Sequence, residues 1–292
     1  MKPKLLKISV APESSFSSRF ERVPFFYSEW HFHPEIELVY IENGSGTQFI
    51  GNSIDNFNDG DMILVGSNLP HLWKCDDAYF AKDSVLQAAS LVVHFIPNVL
   101  GDYFMEMPEN KQLADLLLKA KQGIRIVHET KSQVHDYMTQ LLTAKGSERI
   151  ILLLQILQLL SLSKDLELIT ANNMEHPASA KESQRMTTIF QYLIQNFSKP
   201  ISLNDIAAQA NMSPNAFCRL FKTRTKKTFS RFLLEMRISH ACKLLADTDN
   251  MISDIYYDCG FTNSSHFNRY FKQITGESPM NYRKKQLLML NS

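Results

Sequence analysis

Only four cysteines, Cys75, Cys218, Cys242 and Cys259, occur in the 292 residues, and none stands in a Cys-x-x-Cys pair. A disulfide framework is thereby excluded, and the thiols read as free in a reducing compartment. No glycine-rich phosphate loop and no Ser/His/Asp arrangement appears. The opening stretch, Met1-Lys2-Pro3-Lys4-Leu5-Leu6-Lys7, has no apolar core of signal-peptide length. The most apolar run, Ile150 to Leu160, is broken by Gln155 and Gln158. It is too short to cross a bilayer of about 30 Å. A cytoplasmic protein without a membrane partner is expected.

A large net charge is also missing, since the whole chain carries +1. That near-neutrality hides a segregation. Residues 183–292 hold fifteen Lys/Arg against seven Asp/Glu, a net of +8, while the remainder holds sixteen against twenty-three, a net of −7. A basic C-terminal third implies a polyanionic partner for that third alone. The same third contains an internal repeat. Asp205-Ile206 recurs as Asp254-Ile255, and Phe217-x-Arg219-x-Phe221-Lys222 as Phe267-x-Arg269-x-Phe271-Lys272. Thr225, Thr228 and Phe232 are matched by Thr275, Ser278 and Tyr282.

Each copy reads as a helix-turn-helix. In the first, Ser202 caps a helix with Ile206 and Ala207 inward, and the turn is Asn211-Met212-Ser213. Ser213 then caps a second helix whose first position is Pro214, where a missing N–H does no harm. In the second copy the turn holds Gly260-Phe261, and glycine suits a left-handed helix end. Phe217, Leu220 and Phe221 lie at i, i+3 and i+4 and face inward, so Asn215, Cys218, Arg219 and Lys222 face out. In the second copy Phe267, Tyr270 and Phe271 face inward, leaving Ser265, His266, Asn268, Arg269 and Lys272 outward. Arginine can pair with guanine and asparagine with adenine in the major groove. Lys222 and Lys272, at the helix ends, suit phosphates. The spacing predicts one long helix, about Thr228 to Asp247, between the copies. Its core stripe is Phe232, Met236, Ala241, Leu244 and Leu245. Two reading helices on one face of DNA must be held one turn, about 34 Å, apart, which a rigid connector provides.

The run Arg237-Ile238-x-x-Ala241-x-x-Leu244-Leu245, Ile252-x-x-Ile255, Gly260-Phe261, Phe267-x-Arg269-x-Phe271-Lys272 and Gly276-x-Ser278-Pro279-x-x-Tyr282-Arg283 resembles the AraC/XylS transcription regulators. The resemblance covers about a third of the chain. It implies seven helices, two helix-turn-helix units on a connecting helix, and sequence-specific binding of promoter DNA. Two departures stand out. Tyr256 follows the second isoleucine, where the family has a small residue, and Lys226-Lys227 stands where a glycine is common.

Upstream, residues 1–98 read as short strands such as Leu38–Ile41, Thr47–Ile50, Met62–Val65 and Ser90–Phe95, separated by turn signals. Such spacing suggests a barrel or jelly roll. Within it, His31-x-His33-x-x-x-Glu37 and the later His71 resemble the metal motifs of the cupin barrel. Three imidazoles and a carboxylate suit Fe, Mn, Ni or Zn. The competing reading is that they are hydrogen-bonding groups lining a ligand cavity, or structural, without metal. Trp30, Tyr40 and Trp73, with Phe26, add aromatic faces that would suit a small molecule such as a sugar. Residues 99–169 read as helices for dimerisation, over about 113–120, 131–144 and 147–162. The last is apolar on most of its circumference, so it must be buried on more than one side, within its domain or against a second subunit. Residues 170–184 read as a linker, and 185–287 as the DNA-binding domain.

The fold class expected is therefore α+β and multidomain: a cupin-like β-barrel or jelly roll with following helices, then an all-α domain of seven helices. The favoured function is a non-enzymatic, ligand-controlled transcription regulator acting as a homodimer, with RNA polymerase as a further candidate partner. No cofactor is expected; a divalent metal at His31, His33, Glu37 and His71 is the open alternative. The alternative is a cupin metalloenzyme, a dioxygenase or isomerase, with an accessory DNA-binding domain. A third reading is a regulator that senses the metal itself.

Overall fold

The computed structural model describes residues 8, 14–26, 30–170 and 180–290. Most of the chain before residue 177 forms one compact unit, and the helices from residue 180 onward form another.

The first unit opens with seven strands: β1 (Ser17–Val23), β2 (Ile36–Asn43), β3 (Gly46–Ile50), β4 (Ser53–Phe57), β5 (Met62–Val65), β6 (His71–Cys75) and β7 (Ala88–Phe95). Then come α1 (Asp102–Glu106), α2 (Lys111–Ala120), β8 (Ile124–Ile126), α3 (His128–Leu141), α4 (Ser147–Leu162) and β9 (Leu166–Leu168). The strands form two separate ladders rather than one closed ring. One sheet runs β1-β7-β2-β5-β8-β9 and the other β4-β3-β6. The stretch that reads as purely helical thus supplies two edge strands of the larger sheet. Three residues each, Ile124–Ile126 and Leu166–Leu168 are too short to display a strand period.

The larger sheet is covered on both faces. Leu38, Leu64, Leu91 and Val93 pack against Leu116 and Leu117 of α2, Val134 and Met138 of α3, and Leu153 and Ile156 of α4. On the opposite face Val39, Ile41, Ile63, Val65 and Val92 meet Ile50, Trp73 and Cys75 of the smaller sheet. Burial on both sides explains why β5 and β7 are apolar almost throughout instead of alternating. α4 buries Leu152, Leu153, Ile156, Leu157 and Leu160, yet Ile151 and Leu162 are 55% and 60% exposed.

The second unit has seven helices among the described residues: α5 (Ala180–Asn196), α6 (Leu203–Gln209), α7 (Pro214–Thr225), α8 (Phe229–Asp247), α9 (Ile252–Asp258), α10 (Ser264–Thr275) and α11 (Pro279–Leu290). α5 begins at Ala180, inside the segment that reads as linker; residues 171–179 lie outside the described residues. Glu182 in its first turn pairs with Arg224 of α7, a tertiary contact that a polar sequence pattern does not reveal. Ser202 and Asp205 form a capping box on α6, and Ser213 accepts from Ala216 N at the start of α7.

The repeat is visible in three dimensions. Thr225 Oγ1 donates to Phe221 O and Lys227 O, and Thr275 Oγ1 to Phe271 O and Glu277 O. Arg237 donates to the carbonyls of Phe197 and Lys199 beyond α5, and Arg283 to those of Leu245 in the last turn of α8 and Asn250 beyond it. α8 therefore plays two parts: last helix of the first copy and first helix of the second. Phe232 packs on Phe190 and Phe221, whereas Ile238, Ala241, Cys242 and Leu245 join Ile255, Phe261, Phe267 and Phe271. Serving two cores, α8 is apolar on more than one face.

Candidate nucleic-acid interface and inter-sheet centre

Two buried phenylalanines fix the rotation of each of the helices α7 and α10. Phe217 and Phe221 of α7 and Phe267 and Phe271 of α10 are fully buried at i and i+4. The residues between and beyond them must point away. Asn215, Cys218, Arg219 and Lys222 on α7 are exposed, and so are Ser265, His266, Asn268, Arg269 and Lys272 on α10. Leu220 and Tyr270 are half-buried at the margins. The Arg269 guanidinium lies 4.7 Å from the centroid of the Tyr270 ring, an arrangement that holds it flat against its own helix. Arg219 makes no hydrogen bond or ion pair with the described residues, so its five donors face outward.

The turns differ in detail. Asn211 takes φ +51° where Gly260 takes +78°, and Lys226 takes φ +56° where Gly276 takes +85°. Asparagine tolerates the left-handed region, while lysine adopts it at some strain. Tyr256, the bulky departure after Ile255, is accommodated by Tyr257 at 4.4 Å and Phe267 at 6.0 Å between ring centroids.

In the first unit a second constellation lies between the two sheets. A backbone bridge pairs His31 with His71, N to O at 3.2 and 2.9 Å. It brings the His31 and His71 rings to 4.3 Å between centroids. Glu37, on the inner face of β2, receives three imidazoles on one oxygen. His33 Nε2, His71 Nε2 and His94 Nε2 lie 3.0, 3.3 and 2.9 Å from Glu37 Oε2. All of these residues are buried. Burial alone would push the Glu37 carboxyl up; the field of His94 and the hydrogen bonds from His33, His71 and His94 outweigh it and hold the group well below the usual carboxylate range. For His33, burial pulls downward, but the hydrogen bond and charge of Glu37, together with the carbonyl and charge of Glu35, outweigh it and its pKa is raised.

The sequence set His31, His33, Glu37 and His71 is thus brought together, with its ligand atoms within 4.8 Å of one another. Trp73 joins it, its ring 5.5 Å from that of His71, and Trp30 is buried beside His31 in the chain. Tyr40 does not join it. Alternation along β2 puts Tyr40 on the face opposite Glu37, where its ring lies 4.3 Å from that of His135 on α3.

Three residues escape the sequence reading. His94 sits in an apolar strand and is the register partner of Glu37 across β2 and β7. Arg19 of β1 places Nη1 2.8 Å from His94 Nδ1. Gln48 is buried opposite Trp73 across β3 and β6. Neither the Gln48 amide nor the Trp73 indole N–H has a hydrogen-bond partner among the described residues. All three depend on pairings between distant segments, which no local motif encodes.

Comparison with known proteins agrees with the duplicated geometry. A family model described as a helix-turn-helix domain matches residues 206–285. The HTH-type transcriptional activator RhaR of Mannheimia succiniciproducens is 24% identical over 256 residues, spanning 87% of each chain. The melibiose operon regulatory protein of Escherichia coli is 23% identical over 274 residues, covering 90% of this chain and 86% of that one. A solved transcriptional regulator with an AraC-type DNA-binding domain, from Chromobacterium violaceum, is 28% identical, with a TM-score of 0.35; it covers 37% of this chain and 96% of its own. Among the described residues no helix is long and apolar enough to cross a membrane. With two helix-turn-helix units on one shared helix, the chain is similar over nearly its whole length to DNA-binding transcription regulators.

Proposed function

We propose that α7 and α10 enter successive major grooves of promoter DNA, and that a small neutral molecule bound between the two sheets sets their affinity. The observation that carries the reading is the matched exposure of Arg219 and Arg269 on helices whose opposite faces are pinned by paired phenylalanines. On this reading Asn215, Cys218, Arg219, Ser265, His266, Asn268 and Arg269 face base edges, and Lys222 and Lys272 meet phosphates.

The first unit then acts as a cupin-like sensor. Support for a polar occupant comes from the buried, unpartnered amide of Gln48 and indole N–H of Trp73, since buried polar groups in proteins are nearly always satisfied. Trp30, His31, His33, Glu37, His71 and Trp73 complete an aromatic and polar lining suited to a hydroxyl-rich molecule. The name of one relative refers to the melibiose operon, which favours a sugar. The exposed apolar face of α4, with Ile150, Ile151 and Leu162, supports a homodimer built on the helices of residues 99–169. RNA polymerase is the partner such a promoter-bound dimer would meet, in the reducing cytoplasm.

The test is selection of bound fragments from genomic DNA by the full chain, repeated with a panel of neutral mono- and disaccharides. Fragments carrying contacts one helical turn apart are expected, with occupancy altered by at least one sugar. Absence of enrichment overturns the DNA reading. Enrichment indifferent to every sugar overturns the ligand class.

A further inference from the structure

The two copies close α7 and α10 with the same turn but different residues. The Thr225 hydroxyl bridges Phe221 O and Lys227 O, and the Thr275 hydroxyl bridges Phe271 O and Glu277 O. Lys226 and Gly276 are therefore equivalent positions. Both cap their helix in the left-handed region, at φ +56° and +85°. Glycine takes that conformation at little cost, whereas the Cβ of a lysine crowds the following carbonyl.

A second local cost adds to the first. Lys226 follows Lys222 by four positions, and like charges so spaced repel along a helix. Nor does the helix dipole call for another cation, because Lys222 and Arg224 already lie in the last turn of α7. A left-handed lysine that local energetics disfavour points to function rather than to folding.

The neighbouring lysine is explained by the fold. Lys227 Nζ lies 2.6 Å from Glu235 Oε2, eight positions on. In the second copy the same spacing joins Glu277 Oε1 to Lys285 Nζ at 3.7 Å, with the signs exchanged. An ion pair across this turn is thus common to both copies, and Lys227 serves it. At the Lys226 position the second copy has glycine, so the shared turn does not need a side chain there.

Lys226 is exposed and continues the outward series Asn215, Arg219, Lys222 at helical spacing. A helix lying in the major groove reaches base edges with its N-terminal part. Its other end rises to the rim of the groove, where phosphates lie.

We propose that Lys226 binds a DNA phosphate at the rim of the groove that α7 enters. The inference rests on the DNA reading of α7 and extends it by one contact that the second unit lacks. The two units then differ in grip. The first holds the backbone through Lys222 and Lys226, the second through Lys272. The left-handed lysine is kept because glycine in its place would leave that phosphate unneutralised.

The experiment uses the full chain and two probes: sheared genomic DNA of mixed sequence, and the fragments that the wild-type chain enriches. Affinity is measured at several salt concentrations for the wild type, Lys226→Asn, Lys226→Gly and Lys226→Arg, with thermal unfolding of each. Asparagine and glycine accept the left-handed backbone without carrying the charge. Both are expected to weaken binding to both probes by the same factor, about 3–10-fold at about 0.1 M salt, and to reduce the salt slope by about 1. Both are also expected to raise the thermal transition of the helical unit. Lys226→Arg is expected to keep the wild-type affinity and slope. Wild-type binding that Lys226→Asn leaves unchanged in affinity and slope overturns the proposal and places Lys226 outside the interface. A loss confined to the enriched fragments overturns it in favour of a base contact, and a lowered transition overturns it in favour of a structural role. A wild-type chain that binds neither probe even in dilute salt overturns the DNA reading itself, a result distinct from the other three.

Discussion

Arg219 projects from α7 without a hydrogen bond or ion pair to the described residues, whereas Arg269 is braced against Tyr270. Arg219→Ala is expected to weaken specific DNA binding by about 1–3 kcal/mol and to relax the base preference at one position. Gel-shift competition across operator variants measures both. Equal loss on every sequence would make Arg219 a phosphate contact. Lys222→Ala should instead weaken all sequences alike and reduce the salt slope by about 1, read from binding at several ionic strengths. Gly260 is constrained from two directions. It sits at φ +78°, and a Cβ there would fall 2.5 Å from the Ser198 carbonyl oxygen. Gly260→Ala is therefore expected to destabilise the domain by about 2–4 kcal/mol, from left-handed strain plus overpacking, measured by denaturant unfolding. The outward set on both helices was legible from the spacing of phenylalanines, because helical geometry is local. His94 was not, since a histidine inside an apolar strand gains meaning only when β7 is laid beside β2.

At the scale of elements, α8 carries the most consequence. Its N-terminal half is held by Phe190 and Phe221, its C-terminal half by Phe261 and Phe267. One alanine inserted between His240 and Ala241 would rotate one copy against the other by about 100° and shift it by about 1.5 Å. Affinity for an operator with two contacts one turn apart should fall about 10²-fold, toward that for a single contact, as a simultaneous second grip is lost. Direct titration of one-site and two-site duplexes tests this. α4 offers a second case. Ile151→Glu, on its exposed face, is expected to shift the sedimentation of the full chain from dimer to monomer with little loss of secondary structure; an unchanged dimer would move the interface elsewhere. The long helices announced themselves through caps and periodicity. β8 and β9 did not, because a three-residue strand is defined by its neighbour rather than by its own pattern.

Over the whole molecule, two compact units with separate cores should unfold in two calorimetric transitions. Specific duplex at about 100 times its Kd is expected to stabilise the helical unit by about 2.7 kcal/mol and to leave the transition of the two-sheet unit in place. A single transition raised as one would show that the units are thermodynamically coupled.

Residue order alone was enough to specify helices α7 and α10, their caps, the repeat and the basic character of the C-terminal third. Each is set by neighbours within a few positions, where helical geometry and capping chemistry operate. The fold in space decided the rest: which imidazoles meet Glu37, why Tyr40 turns away, that Arg19 meets His94, and that α8 belongs to both copies. Those outcomes arise from contacts between segments tens of residues apart, and strand register and core packing, rather than local propensity, select them.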